Sequence, residues 1–189
     1  LLPVETVTGI KVMSLNLILD HEDQPAIMRG PLISSTIKQF WTDVLWGDLD
    51  FLLVDLPPGT SDAVLTTMQA LPLTGAIVVT SPQNLVNMIV KKTINMAEKL
   101  NIPVLGVVEN MSYIECPVCG KRINVFGKSK LDTDDLEGKG QLLASLPIEP
   151  DFVEMCDNGG IEAYVRIDDS FAEVVKQVLL KLREGGNSN

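Results

Sequence analysis

The sequence predicts an α/β fold built around a mostly parallel, doubly wound sheet. Apolar, strand-like runs alternate with segments of helical periodicity along most of the 189 residues, which is the pattern of βαβ units. Two runs, 51–54 and 76–79, are apolar without alternation, as expected for strands covered on both faces of a parallel sheet. The length and the 46% hydrophobic content suit a chain of about one domain.

The first half of the chain is predicted to contain strands and helices in regular alternation. Strands are expected over 10–19, 51–56 and 75–80, where β-branched and other apolar residues cluster. Helices are expected over 31–46, 61–70 and 84–100, where the apolar residues recur with the helical period. These elements form the first βαβ units of the predicted sheet.

The second half breaks this alternation once. A strand over 103–109 leads into a small hairpin at 112–127, which carries two cysteines, and a polar stretch over 128–140 is expected to be loop. A strand over 141–148 and a helix over 170–183 follow, the helix with an apolar stripe on one face. Residues 185–189 are expected to be a frayed tail. We therefore expect a single domain over 1–189, with the hairpin inserted in it.

Charge and cysteine content exclude several classes of protein. The 15 basic and 25 acidic residues give a net charge of -10, which argues against a nucleic-acid partner because such proteins carry basic patches. No apolar run is long enough for a membrane span, and we expect no membrane partner. Three cysteines with only one close pair do not make a secreted disulfide framework. A cytoplasmic location is therefore expected.

The run Cys116-Pro117-Val118-Cys119-Gly120 is the most specific chemical signal in the chain. Two thiols at this spacing on a Pro/Gly-kinked turn form half of a four-thiolate metal site. The chain holds no second pair, so a symmetric dimer joining two such turns is the simplest supplier of the other ligands. Thiolates accept both iron and zinc, and a redox dithiol is a third alternative; the sequence alone does not choose among them.

A second signal is Asp55-Leu56-Pro57-Pro58-Gly59-Thr60, placed directly after the apolar strand run at 51–54. An acidic residue at the carboxyl edge of a parallel sheet suits a nucleotide-bound Mg²⁺, and Gly59 in a stiff turn would let a backbone N–H approach phosphate. A solvated loop residue or helix cap is the alternative for Asp55. No phosphate loop of the usual pattern occurs, and the run 127–129 is a decoy. We expect a fragment that lacks its N-terminal phosphate-loop segment.

Six short motifs together resemble one known family. They occur in family order at 29–31, 55–62, 81–83, 108–112, 116–120 and 146–148. The chain resembles the Mrp and ApbC type of iron-sulfur carrier ATPase, a branch of the MinD-like, deviant Walker A P-loop NTPases. The likeness runs from about Ile10 to Arg183. It implies the MinD-like form of the predicted α/β fold.

The resemblance also implies a function and a set of site residues. It implies a homodimer that holds a 4Fe-4S cluster on Cys116 and Cys119 of both chains, binds ATP, hydrolyses it slowly as a switch, and transfers the cluster to apo-proteins. Asp55 would lie near Mg²⁺, and the segment Pro57, Pro58 and Gly59 would sense the γ-phosphate. Asn110 would read the adenine edge, with Pro147 beside the base.

Alternatives remain open at several of these positions. The whole chain could instead be a zinc-pinned dimeric binding or regulatory module without cluster transfer, and a pure partitioning ATPase would leave the two thiols unexplained. Asn110 could serve a capping or turn role, and Arg29 could form a surface ion pair. Cys156 is expected to be a small packed side chain, and His21 a solvated loop residue.

Overall fold

The computed structural model describes residues 1–19, 28, 30–127, 129, 140–163 and 169–186. The chain separates into two compact units, residues 1–72 and residues 73–189, and each is described by itself. The expected loop at 128–140 lies almost entirely outside the described residues, as do His21, Arg29 and residues 187–189.

The first unit combines a short hairpin with two helices. Strands β1 (Val4–Glu5) and β2 (Lys11–Val12) pair antiparallel, and the turn between them uses Gly9 at φ +89°, a backbone conformation that glycine adopts without steric cost. Helices α1 (Gly30–Thr42) and α2 (Asp62–Ala70) lie against each other. The hydroxyls of Ser34 and Thr66 are joined by a hydrogen bond of 2.8 Å between these helices.

Two strand predictions in this unit are wrong. The segment 10–19 contains only the two residues of β2 and a 3₁₀ turn at Leu15–Leu17. The segment 51–56 forms no strand, and its Leu53 side chain is 87% exposed. An apolar run becomes a strand only where a neighbouring strand takes up its backbone N–H and C=O groups, and the described residues give 51–56 no such neighbour.

The second unit contains a four-stranded sheet with β4 at its centre. Its strands are β3 (Ala76–Thr80), β4 (Val104–Glu115), β5 (Arg122–Ile123) and β6 (Leu142–Pro147). β4 pairs parallel with β3 on one side and with β6 on the other. β5 pairs antiparallel with the last two residues of β4. The helices are α3 (Asn84–Lys99), α4 (Pro150–Asp157) and α5 (Asp169–Gly186).

The sheet of this unit is covered by a helix on each face. Val107 packs with Val78 of β3 and with Val90 and Ile94 of α3. Its neighbour Val108 belongs to a separate cluster, in which Leu143 and Leu146 of β6 meet Val174 and Val178 of α5. Because successive strand residues point to opposite faces, α3 and α5 lie on opposite sides of the sheet. This is the doubly wound arrangement predicted from the sequence.

Several boundaries in this unit differ from the predictions. β4 continues past Glu109 to Glu115, so the predicted strand 103–109 runs directly into the cysteine hairpin. Helix α4 was not predicted, and α5 includes Gly185 and Gly186, which had been expected in the tail. The full coverage expected for 76–79 is also wrong, since Val79 is 65% exposed on β3, an outer strand of the four-stranded sheet.

Candidate functional site

The two cysteines lie on a tight turn that joins β4 to β5. The backbone N–H of Cys116 donates to the Lys121 carbonyl at 3.0 Å, and the N–H of Gly120 donates to the Cys116 carbonyl at 2.8 Å. Gly120 has φ +67°, so it supplies the left-handed residue with which the chain turns back after Cys119. The local sequence thus holds both thiols at the tip of a hairpin that begins in the sheet.

The turn also directs backbone donors at one thiol. The N–H groups of Val118 and Cys119, and then the Cys119 side chain, lower the pKa of the Cys116 thiol below its usual value, against a smaller opposing effect of burial. Such donors favour the thiolate, the form that binds metal ions. Cys119 is exposed, and both cysteines are free. The turn is therefore suited to bind a soft metal through two thiolates.

Three side chains hold the base of this hairpin together. The Arg122 guanidinium lies 4.2 Å from the centre of the Tyr113 ring, and its Nε donates to Glu115 Oε1 at 3.2 Å. Tyr113 is buried in the sheet, while Arg122 is exposed. Arg122 therefore ties the short strand β5 to β4 and to the core beneath the cysteines. This contact could not be predicted from the sequence because neither residue belongs to a recognisable motif.

A buried carboxyl group lies in β4 on the core side of the hairpin. The Glu109 side chain is 1% exposed. Ser112 Oγ donates to Glu109 Oε2 at 2.7 Å, and Ser129 Oγ donates to Oε1 at 2.6 Å. Glutamate is rarely fully buried unless it is partnered. The only sign of it in the sequence is a glutamate directly after the apolar run 104–108.

Asn110 and Pro147 also belong to the second unit. Asn110 is exposed, and its Oδ1 accepts the N–H of Met111 at 2.8 Å. Met111 has φ +57°, so the Asn110 side chain supports a left-handed residue in β4, and the turn role considered from the sequence is present. Pro147 is half-buried at the end of β6, opposite Tyr113 in the strand register. The predicted nucleotide roles of Asn110 and Pro147 remain predictions.

The Asp55 segment lies in the first unit and forms an exposed, irregular stretch before α2. Asp55, Pro57 and Pro58 are exposed, and Gly59 has φ +83°, which fits the glycine turn predicted there. α2 follows with Asp62 in its first turn. The magnesium and phosphate roles predicted for this segment remain predictions.

Asp62 also makes a close approach to α1. A Cβ atom at Gly30 would lie 2.9 Å from Asp62 Oδ2, so the absence of a side chain at Gly30 admits this carboxyl group. Gly30 is the first residue of α1, and a carboxylate is favourable near a helix N-terminus. The contact gives Gly30, in the motif at 29–31, a structural role in joining the two helices.

Several exposed side chains of the cysteine hairpin are apolar. Val118, between the cysteines, is 92% exposed, and Ile123, Val125 and Phe126 of the same hairpin are also exposed. Cys156 lies apart in sequence, exposed on α4; it is not the packed side chain that had been expected. Among the described residues, no group of three or more His, Cys, Asp or Glu side chains could hold a metal ion.

A known protein family and several curated proteins match most of this chain. A model of the ParA family, described as NUBPL iron-transfer P-loop NTPase, matches residues 1–183. An iron-sulfur cluster carrier protein of Clostridium perfringens is 49% identical over 164 residues, which cover 86% of this chain and 57% of that protein. One of Methanocaldococcus jannaschii is 40% identical over 183 residues, covering 95% and 63%. The chain therefore spans about three fifths of the length of these curated relatives.

Solved structures show the same fold. A nucleotide-binding protein of Archaeoglobus fulgidus, in complex with ADP and with Co, has a TM-score of 0.75 and 42% identity, over 90% of this chain and 65% of that one. The cell division ATPase MinD of Pyrococcus furiosus has a TM-score of 0.53 and 19% identity, over 82% and 58%. The MinD-like P-loop NTPase fold expected from the sequence is confirmed. Within the part described, no helix is long and apolar enough to span a membrane.

Proposed function

Because the chain belongs to the ParA family of NUBPL-type iron-transfer P-loop NTPases, we propose that it is an ATP-binding carrier of iron-sulfur clusters. In this proposal the cargo is a 4Fe-4S cluster, held by Cys116 and Cys119 of two chains and passed on to apo iron-sulfur proteins. Slow ATP hydrolysis acts as a switch between holding and releasing the cluster. We place the protein in the cytoplasm, where thiols stay reduced.

The observation that carries the proposal is the two-thiol turn, in which Cys119 is exposed and Cys116 is half-buried. Backbone N–H groups lower the pKa of Cys116, and hydrogen bonds to cluster-bound sulfur are a means by which proteins tune iron-sulfur centres. Exposure is a functional requirement here, because a carrier must present its cargo to an acceptor. Curated relatives at 49% and 40% identity carry the name iron-sulfur cluster carrier protein.

A homodimer follows from the number of ligands. A 4Fe-4S cluster takes four thiolates, and one turn supplies two. The exposed side chains of Val118, Ile123, Val125 and Phe126 would lose water-accessible apolar surface when two such hairpins meet, which favours association. Each chain would then contribute half of the ligands and half of the apolar surface around the cluster.

The nucleotide half of the proposal rests on two segments. Asp55 would stand near Mg²⁺, and Pro57, Pro58 and Gly59 would approach the γ-phosphate. Gly59 has φ +83°, a conformation that glycine adopts without steric cost. Asn110 would read the adenine edge through its amide nitrogen, since its oxygen already accepts the Met111 N–H. Pro147 would lie beside the base. The ADP complex of the Archaeoglobus fulgidus relative supports nucleotide binding.

The second candidate is a zinc-pinned dimeric module of the same fold without cluster transfer. The observation that keeps it open is the donor set itself, because two thiolates per chain suit zinc as well as iron. The two candidates differ in an observable property. A cluster on exposed thiolates is coloured, sensitive to oxygen and transferable, whereas zinc is colourless and stays bound until it is chelated.

Metal analysis of anaerobically purified protein separates the candidates. We expect about two iron and two acid-labile sulfide per chain, as one 4Fe-4S cluster shared by two chains requires. The Cys116→Ser variant should lose both, while Cys156→Ser, which alters an exposed cysteine on α4, should retain them. Stoichiometric zinc that persists after reconstitution with iron and sulfide would reject the carrier and favour the zinc module.

A further inference from the structure

Strand β4 contains a bulge between the core and the two thiols. Glu109 is in register with Ser145 of β6, and the next pair is Tyr113 with Pro147. Four steps along β4 therefore match two steps along β6, so two residues of β4 are extra. Met111 lies within this stretch at φ +57°. Bulges of this kind bend a strand and redirect the residues that follow, which here lead directly to Cys116.

The Glu109 carboxyl group accepts hydrogen bonds from both ends of the hairpin segment. One oxygen accepts the Ser112 hydroxyl, on the chain entering the hairpin, and the other accepts the Ser129 hydroxyl, on the chain leaving it. Ser112 Oγ also lies 2.9 Å from the Glu109 carbonyl. Seventeen residue steps separate Ser112 from Ser129, and both cysteines lie between them. A single buried side chain thus joins the two ends of the metal-binding segment.

We propose that Glu109 is a positioning residue for the two thiolates. It fixes the bend of β4 and closes the base of the segment 112–129, so that Cys116 and Cys119 are presented in one orientation toward the metal. This inference rests on the proposed function, since it concerns the same site. Buried polar groups with satisfied hydrogen bonds specify a unique local geometry, and residues that orient metal ligands commonly alter affinity by about 10–100-fold when changed.

Titration with Co²⁺ tests the proposal without iron, sulfide or nucleotide. The probe is Co²⁺ alone, read by the absorption of the tetrathiolate centre at a fixed chain concentration. Glu109→Ala removes both serine contacts, and we expect it to weaken Co²⁺ binding about tenfold, the lower end for residues beyond the ligands. Ser129→Ala removes one contact, and we expect a smaller loss. The experiment remains informative if cluster assembly fails, because it does not depend on iron.

Two further variants separate positioning from general stability. Glu109→Gln keeps the shape of the side chain. Its amide group can donate to Ser112 Oγ, while the Ser112 hydroxyl donates to the backbone carbonyl of residue 109. The Co²⁺ affinity of this variant should therefore stay within about twofold of the parent value. Leu143→Ala removes a buried side chain of β6 and is the control for a general loss of stability, with the melting temperatures of both variants measured alongside. We expect it to leave Co²⁺ affinity unchanged. Equal losses of affinity in Leu143→Ala and Glu109→Ala would overturn the proposal.

Amide hydrogen exchange of the metal-free chain gives a second readout, which is independent of metal binding. In Glu109→Ala, exchange at the Cys116 and Gly120 amides should rise relative to the Val107 amide, which is bonded to the Gln141 carbonyl in the sheet. Leu143→Ala should not raise this ratio. An unchanged ratio in a folded Glu109→Ala variant would show that the carboxyl group does not hold the hairpin.

Discussion

Replacing Arg122 by alanine should loosen the cysteine hairpin while leaving the sheet intact. The guanidinium makes two contacts, a cation–π contact with Tyr113 at 4.2 Å and an ion pair with Glu115 at 3.2 Å. An exposed cation–π contact contributes about 0.5–1 kcal/mol, and an exposed ion pair about 0.2–1 kcal/mol. The Arg122 and Glu115 side chains are 64% and 51% exposed and the contacts share one group. We therefore expect about 1 kcal/mol in total.

That free energy corresponds to about a fivefold change in the equilibrium for opening the hairpin. The assay is amide hydrogen exchange, residue by residue, on the metal-free chain. The Cys116 amide is bonded to the Lys121 carbonyl across the hairpin, so its exchange in Arg122→Ala should be about fivefold faster than in the parent. The Val107 amide, in the sheet, should exchange at the parent rate.

Arg183→Ala is the matched control, because Arg183 is an exposed arginine in the last turn of α5. It should leave the Cys116 amide unchanged. Exchange at Cys116 in Arg122→Ala that matches the parent would refute the reasoning, because the two contacts would then not hold β5 against β4. An equal rise at Val107 would refute it too, since the effect would be global.

Three further predictions concern the thiol, the sheet and a helix end. The pKa of Cys116 is lowered. Its alkylation by iodoacetamide, followed by mass spectrometry, should therefore reach half its maximal rate at a pH below about 8.5, the ordinary pKa of a cysteine thiol. The pH midpoint of alkylation should rise in Val118→Pro, which lacks one N–H donor. If the folded parent had the same pH midpoint as the parent unfolded in urea, the lowered pKa would be contradicted. A Cβ at Gly106 would clash with the Leu143 side chain, so Gly106→Ala should lower the free energy of unfolding by about 1–3 kcal/mol. An unchanged urea midpoint of unfolding would count against this. Asn101, two residues after the end of α3, has φ +56°. Asn101→Ala should therefore lower the free energy of unfolding by about 1 kcal/mol, whereas Asn101→Gly should not. Equal melting temperatures of the two variants would exclude that strain.

The sequence predicted the elements whose pattern is local. The helices α1, α2, α3 and α5 were expected from apolar residues at helical spacing, and each occurs within a few residues of its predicted bounds. β3 and β6 were expected from short apolar runs next to turn residues and were confirmed. The period of the apolar residues carries this information without knowledge of the neighbours.

The strands that depend on a neighbour could not be predicted in the same way. Phe51–Val54 has the composition of a buried strand, yet Leu53 is exposed and the segment pairs with nothing among the described residues. Pairing is a property of two segments, so composition alone cannot establish it. The same limit explains β4, whose continuation through Asn110 to Glu115 is fixed by pairing with β5 and β6.

The two cysteine ligands of the candidate site could be predicted because their spacing in the sequence is typical of a metal site. Two cysteines with two residues between them are recognisable as metal ligands in any fold. The bond from Ser129 to Glu109 joins residues twenty positions apart, and the contact of Arg122 with Tyr113 crosses a hairpin. Such contacts become visible only after the fold has brought the segments together. The supporting residues of the turn were therefore missed while its ligands were identified.

Native mass spectrometry of the chain, reconstituted anaerobically with iron and sulfide, tests the central claim most directly. It reports the number of chains and the bound mass in one measurement. The account predicts a species of two chains carrying about four iron and four sulfide, absent in Cys119→Ser. A single chain without bound mass, or a dimer carrying only zinc, would contradict the claim that Cys116 and Cys119 of two chains share an iron-sulfur cluster.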